Sequence, residues 1–434
     1  MLTLSEKIVF IILLIIALYL SWHAFQQVAR IIRRGAGRPP FDQPLDRIYT
    51  ALIATLTQRT VLNARPLTSL VHFSLVWGFL LYALVNLEDV LRGFIPGYHL
   101  FTTTALDNIY RLAVDVFSVV VIVAMIYFLI RRFGWRDPNL MFNSNILLHE
   151  EVRAGAIQRD SALVGAFILT HVGSRFLGQS ISITLTGPDA FQPFATVAAG
   201  LWVGANPAYL DALLHIFWWL AIGSLLIFIP WFPQTKHFHL IMAPLNILTQ
   251  PGRRGSSGTM TPLDLEDESI EMFGAAHLEH LSQSQIMDAY ACIMCNRCQE
   301  VCPATNAGTP LSPAALEINK RYFIKTEAEA LAAGQESVAT LFDIALPAAG
   351  VWACTACAAC LEICPVGNEP LHDILNMRQY LTLMEGDIPE PLAVALTQAE
   401  RSGDPWGNPA NTRLDWAKGL DVPLLADKQQ VDVL

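Results

Sequence analysis

Cys292-Ile-Met-Cys-Asn-Arg-Cys-Gln-Glu-Val-Cys-Pro303 is answered further along the chain by Cys354-Thr-Ala-Cys-Ala-Ala-Cys-Leu-Glu-Ile-Cys-Pro365. Each run spaces its thiols C-x2-C-x2-C-x3-C and closes on proline, and together they hold all eight cysteines of the chain. Structural cysteines would scatter, and a disulfide scaffold would be small, secreted and loop-rich. A zinc site would pair two C-x2-C knuckles into four ligands. Two copies of a four-thiol run ending in Cys-Pro are the more specific sign of two [4Fe–4S] clusters, with three thiolates wrapped around one cube face and the proline ending the turn.

Outward from these runs the composition changes sharply. The 434 residues are 53% hydrophobic and 15% charged, with a mean hydropathy of +0.40, whereas a soluble domain carries about 25% charged residues. The apolar residues crowd into positions 1–246. Five stretches there, at about 8–29, 67–91, 110–130, 160–182 and 210–232, reach the roughly 20 residues that a bilayer crossing needs. Helices are the economical way to satisfy their backbones. The first stretch is followed by its positive cluster (Arg30, Arg33, Arg34, Arg38) and has no small-residue cleavage site, so it reads as an uncleaved helix. The net charge of −10 argues against nucleic acid as a partner.

Arginines sort the loops. Arg30, Arg33, Arg34, Arg38, Arg47, Arg59 and Arg65 lie between the first two stretches, and Arg131, Arg132, Arg136, Arg153 and Arg159 between the third and fourth. Residues 93–110 and 183–210 contain no Lys or Arg. The positive-inside rule then puts the amino terminus outside and everything after the fifth helix in the cytoplasm, where thiols stay reduced. The expected fold is all-α: a five-helix transmembrane bundle followed by a mostly helical two-cluster domain. The expected divisions are 1–246 for the bundle, 247–285 for a linker that includes the Gly/Ser-rich TQPGRRGSSGTMTP, 286–385 for the cluster domain and 386–434 for a tail. LDLEDESIE reads as a solvated helix start, and the segments around SQSQIMDAYA, AALEINKRYFIKTEAEALAAG and ESVATLFDIALPAA as helices.

Intramembrane histidines are costly and often functional. His72 and His239 fall at similar depth near the cytoplasmic side, with His23 at a comparable level, and His171 and His215 lie deeper. Two depth-matched imidazoles on facing helices are what a b-type haem requires. Glu88, Asp89, Arg111, Asp115, Arg175 and Asp211 sit near outer helix ends and read first as solvated interface residues.

Resemblances sharpen this. The spacing of the cysteine runs resembles bacterial two-cluster ferredoxins, in which the fourth cysteine of each run ligates the other cluster. That implies one cluster on Cys292, Cys295, Cys298 and Cys364, and another on Cys354, Cys357, Cys360 and Cys302. The helical stretches between the runs resemble the ferredoxin domains of the succinate dehydrogenase iron–sulfur subunit and of the small heterodisulfide reductase subunit. Pro233-Gln-Thr-Lys-His-Phe-His-Leu-Ile-Met-Ala-Pro244 is similar to the end of the last helix of the gamma subunit of respiratory nitrate reductase, a five-helix dihaem cytochrome b. The resemblance implies that His239 and His72 ligate haem b. The positions matching that family's other haem ligands are Tyr82 and Ala221, which leaves a second haem open, with His171 and His215 as candidates.

The whole chain resembles membrane iron–sulfur oxidoreductases that add a cysteine-rich CCG region, here expected on a separate cytoplasmic subunit. Electron-transfer-flavoprotein:menaquinone oxidoreductases are the relatives that fit best. They imply a multi-pass protein of the cytoplasmic membrane that passes electrons from a flavoprotein or CCG-type partner to menaquinone. A heterodisulfide-reductase-like or sulfur-metabolism complex running from quinol to a cytoplasmic disulfide is the second reading. A non-catalytic anchor with structural clusters is the third. No dinucleotide, Walker A or nucleophile-elbow motif is visible, so the catalytic residues of any two-electron step are not assigned.

Overall fold

The computed structural model describes residues 2–250, 263–420 and 422. Among them there is no strand, only one isolated bridge between Ala36 and Ser282. Residues 251–262 of the expected linker and most of the tail beyond 420 lie outside the described residues.

Five helices are long and apolar enough to cross a membrane: Leu4–Ile32, Pro66–Phe94, Thr104–Gly134, Ala156–Thr186 and Pro207–Gln234. Each contains one of the stretches expected from the sequence and extends beyond it at both ends. Their limits have local causes. The first opens on a capping box, in which the Thr3 hydroxyl accepts from the Glu6 N–H and the Glu6 carboxylate accepts from the Thr3 N–H. The second and fifth begin with proline at the first helical position, where no N–H is missed. The fourth stops at Gly187, with φ of 102°. In the fifth, a π-turn spans Trp219–Gly223. Ile8, Ile11, Ile12, Ile15, Ile16 and Trp22 of the first helix are all exposed, the apolar outer surface that a lipid-facing helix carries.

The segment between the first two spans holds a helix, Pro44–Thr57. After the fifth span a short turn, Lys236–Phe238, leads into the helix His239–Thr249. That helix packs on Pro44–Thr57 and on Gln283–Ala291 of the cluster region. The seam is continuous: Val28, Ile31, Phe238 and Met242 share one buried core with Leu278, Ile286, Phe323 and Ile324. Fully burying such side chains is worth about 1.5–3 kcal/mol each, so the cluster region is welded to the bundle. Gly35 marks the closest approach, because a Cβ there would meet the Gln283 nitrogen at 2.7 Å.

Within the cluster region, Gln283–Ala291 and Pro313–Thr326 form as the sequence suggests. Two expectations fail. LDLEDESIE is exposed but contains no helix, since it has neither an apolar face nor a packing partner to offset the cost of nucleation. The stretch ESVATLFDIALPAA gives only Leu341–Ile344, followed by Ala348–Ala353, because Pro347 cannot continue a helix. In the tail, Glu390–Ser402 is a helix with no buried residue, and Trp406 and Trp416 are exposed.

Candidate functional site

The two cysteine runs fold as copies. Arg297–Glu300 and Ala359–Glu362 are matching one-turn helices. Met294 and Asn296 flank Cys295 with positive φ, and Ala356 and Ala358 flank Cys357 in the same way. Four non-glycine residues in this region carry strain, which is held because the reversal turns backbone N–H groups toward sulfur. Ala356 N–H donates to Cys354 Sγ at 3.4 Å and Asn368 N–H to Cys364 Sγ at 3.2 Å.

Cys292, Cys295, Cys298 and Cys364 line one cavity together with Cys360. Cys302, Cys354, Cys357 and Cys360 line a second. Four thiolates on one zinc would sit about 3.8 Å apart, given Zn–S of about 2.3 Å. Among the described residues no three His, Cys, Asp or Glu side chains converge closely enough for a single ion, as suits the wider corners of a cubane. Burial pushes the Cys292 and Cys360 thiols up to about 12, and those of Cys298 and Cys364 well above the usual range. These thiols give up their protons only when iron takes their place. Cys357 is exposed, whereas Cys302 and Cys360 are buried.

Several bonds fasten the inner cavity to the bundle. Arg65, just before the second span, donates to the Cys295 carbonyl at 2.9 Å and pairs with Glu300. Thr60 donates to the Pro365 carbonyl at 2.8 Å. Asn246, on the helix that begins at His239, donates to Asp288 Oδ1 at 2.7 Å and to the Val366 carbonyl at 3.2 Å. Arg321 spreads over the carbonyls of Tyr290 and Thr235, at 2.7 and 2.5 Å.

Next to this seam His72 and His239 face each other, with ring centroids 6.5 Å apart and planes inclined by 35°. Two imidazoles on opposite sides of one metal, each bonded at about 2.0–2.1 Å with a ring centre roughly 1.1 Å further on, would stand about 6.2–6.4 Å apart. The His239 Nδ1–H donates to the Lys236 carbonyl at 2.7 Å. That bond fixes the tautomer and leaves Nε2 with its lone pair free, the arrangement usual in ligating histidines. Burial holds the His239 imidazole down to about 3, hence neutral. His72 Nδ1 is buried with no protein partner among the described residues. His237 lies beside the pair, its ring 5.8 Å from that of His239. The residues therefore fit a haem.

The other histidines differ. His23 is exposed on the first span, against Tyr19 at 4.5 Å. His215 meets Glu6 Oε1 at 2.9 Å. His171 is buried, stacked on Phe167 at 5.9 Å and edge-on to Tyr82 at 5.7 Å. Its Nδ1–H donates to the Ala221 carbonyl at 2.8 Å, an acceptor within the π-turn, where the regular helix ladder is interrupted. The two positions that lack an outer-haem histidine, Tyr82 and Ala221, are thus both in contact with His171. Of the polar residues at the outer ends, Arg175 pairs with Asp89 at 3.0 Å. Asp115 accepts from the N–H groups of Phe194 and Ala195.

Residues 288–368 match the 4Fe-4S dicluster domain family. The chain carries a 4Fe-4S dicluster domain. Among curated proteins it is 27% identical to the "Probable iron-sulfur-binding oxidoreductase FadF" of Bacillus subtilis, across 98% of this chain and 63% of the relative. It is 26% identical to the "EtfAB:quinone oxidoreductase" of Syntrophomonas wolfei, across 86% and 54%. A "Probable membrane-anchored ferredoxin" of Chromohalobacter salexigens is 31% identical across 47% of this chain and 32% of its own length. The dicluster chain thus spans less than two thirds of each of these relatives. No solved structure matches it. These likenesses and the five apolar helices make it a membrane iron–sulfur redox protein that carries 4Fe-4S clusters.

Proposed function

We propose that the chain passes single electrons between a cytoplasmic redox partner and a membrane quinone, by way of two [4Fe–4S] clusters and one haem b on His72 and His239. The observation that carries this reading is the facing His72–His239 pair on helices bonded to the walls of a four-cysteine cavity. Haem, when bound, supplies a one-electron carrier inside the bilayer. The protein's part would be to present the two imidazoles, exclude water and fix the distance to the inner cluster through Arg65, Asn246 and Arg321.

In this reading Cys292, Cys295, Cys298 and Cys364 hold the inner cluster. Cys302, Cys354, Cys357 and Cys360 hold the outer one, and the exposed Cys357 marks the face where a partner exchanges electrons. The arginine-rich loops support a cytoplasmic position for that face. Likeness to the Syntrophomonas EtfAB:quinone oxidoreductase supports an electron-transfer flavoprotein, directly or through a cysteine-rich subunit, as donor and a quinone such as menaquinone as acceptor. A single haem is assigned, because the ring of His171 stands against Phe167 and Tyr82 rather than a second imidazole, and His215 pairs with Glu6.

The test is purification in mild detergent, reduction, and addition of a menaquinone analogue. Haem absorbance should appear on reduction and bleach as the quinone is reduced. A reduced protein that shows clusters but no haem band, or a haem that stays reduced with the analogue, overturns the proposal.

A further inference from the structure

Arg297 lies inside the first cysteine run, between Cys295 and Cys298, yet its side chain belongs equally to the bundle. It is 5% exposed. Its Nη2 donates to Ser69 Oγ at 2.9 Å and to the Ala64 carbonyl at 3.1 Å. Ser69 is itself fully buried and passes its own proton to the carbonyls of Val61 and Ala64. The guanidinium is therefore gripped at one corner by the start of the second span. Its Nε and Nη1 are buried with no partner among the described residues, which leaves three of its five N–H donors idle. Glu300, one turn along, is taken by Arg65 at 2.7 Å, and Glu317, which lines the same cavity, by Lys320 at 3.1 Å.

A buried guanidinium with most of its donors unsatisfied is expensive, because it loses hydration without an acceptor or counter-charge in return. Its surroundings indicate the missing acceptor. Arg297 lines the cavity of Cys292, Cys295, Cys298 and Cys364. Ser69, which its guanidinium grips at 2.9 Å, precedes His72 by three residues and so lies on the same face of the helix, one turn nearer the cytoplasmic end. Arg297 thus joins the lining of the cysteine cavity to the helix face that carries His72.

We propose that Arg297 binds a propionate carboxylate of the haem held by His72 and His239, and so forms the electrostatic junction between the inner cluster and that haem. The inference rests on the haem reading above. Arginine suits the role because its planar fork matches a carboxylate and never loses its charge. Haem held there would take one electron at a time from the inner cluster, the cluster being oxidised as the haem iron is reduced. No proton need accompany it, because the guanidinium keeps the propionate ionised in both states. The fixed positive charge favours the less positive ferrous state and so raises the potential of the haem.

The experiment is an optical redox titration of the haem in the full chain, purified with its clusters, at pH 6, 7 and 8, for wild type and Arg297→Gln, with electron paramagnetic resonance of both reduced clusters as control. Wild type should give a pH-independent haem potential. Arg297→Gln should lower the ferrous-to-ferric ratio at fixed potential at least tenfold, equal to about 59 mV for one electron. Its potential should also fall as pH rises, because the released propionate now titrates. If Arg297→Gln does not assemble, Arg297→Lys carries the test: it keeps the charge but loses the fork, and the propionate bending band in resonance Raman spectra should move. An unmoved band overturns the inference. So does a haem potential unchanged in Arg297→Gln, including the case where only the cluster signal shifts and the guanidinium serves cluster sulfur instead. Wild type without haem overturns the proposed function itself, whereas wild type with haem and an indifferent Arg297→Gln overturns this inference alone.

Discussion

Replacing Lys320 with methionine should destabilise the cluster domain more than any other single surface-neutral change within it. The ammonium is fully buried and pairs with Glu317 at 3.1 Å and with Asp373, and it donates to the Gln285 carbonyl at 3.0 Å. Both carboxylates are about as buried as the lysine, and Asp288 adds a third acid nearby. Methionine fills the volume of the stem but leaves the acids without a cation. Breaking a buried pair in this way costs about 3–5 kcal/mol. For a domain of this size that corresponds to a drop on the order of 10 °C in the unfolding midpoint.

The loss should depend on pH. Burial already pushes Glu317, Asp373 and Asp288 upward, Asp288 to about 8. A carboxyl whose pKa is raised on folding contributes stability that is complete below its unfolded value of about 4 and is lost as pH rises through the folded value. Without Lys320 the folded values climb further, and each group adds to the variant's deficit only above its wild-type folded value, which for Asp288 is about 8, so the deficit should be larger at pH 9 than at pH 6, by up to about 1.4 kcal/mol per pH unit per group. The assay is the temperature of half-bleaching of the cluster absorbance in detergent, at one scan rate and at both pH values. Adding Glu317→Gln and Asp373→Asn to Lys320→Met should recover part of the loss. A midpoint within 2 °C of wild type at both pH values would refute the assignment of Lys320 as the counter-charge of this network.

Other substitutions probe the site directly. His72→Ala or His239→Ala should abolish the haem band while leaving both cluster signals, whereas His171→Ala should leave the haem band in place; absorbance and paramagnetic resonance of the same samples decide. Cys302→Ser should impair the cluster of Cys354, Cys357 and Cys360 rather than that of its own run, and Cys364→Ser the converse, as read from iron content and resonance line shape. Asp288→Asn should flatten the decline in stability between pH 5 and pH 8, because a side chain that does not titrate cannot lose its proton there; an unchanged slope would show that Asp288 is ionised in the folded protein. Asn246→Leu, which removes the bonds to Asp288 and Val366, should slow electron transfer from cluster to haem in flash-reduction kinetics without loss of either cofactor.

What could be read from the chain was whatever a local pattern sets. The thiol spacing specifies two cluster loops, and the apolar stretches specify five spanning helices, because each depends on neighbours within a few turns. The His72–His239 pairing was available only by likeness to another family, since no periodicity ties residues on two helices so far apart in the chain. Arg297 gave no signal at all: it occupies an ordinary filler position between two cysteines, and its importance arises from Ser69 and Ala64 across the seam. The positive φ values at Met294, Asn296, Ala356 and Ala358 were equally silent, because glycine, the usual marker, is absent from those loops. The helix Pro44–Thr57 lies inside a loop that the sequence marks only by its arginines. LDLEDESIE shows the opposite failure, an acidic start with no helix behind it.

The central claim is one haem between His72 and His239 beside two clusters, and a single preparation tests it. Full-length protein purified from native membranes should give, per chain, one haem b by reduced-minus-oxidised spectroscopy and about eight non-haem irons, the number two [4Fe–4S] clusters require, with the haem absent from His72→Ala. Eight irons with no haem in the wild type, or a haem that survives His72→Ala, would contradict the account.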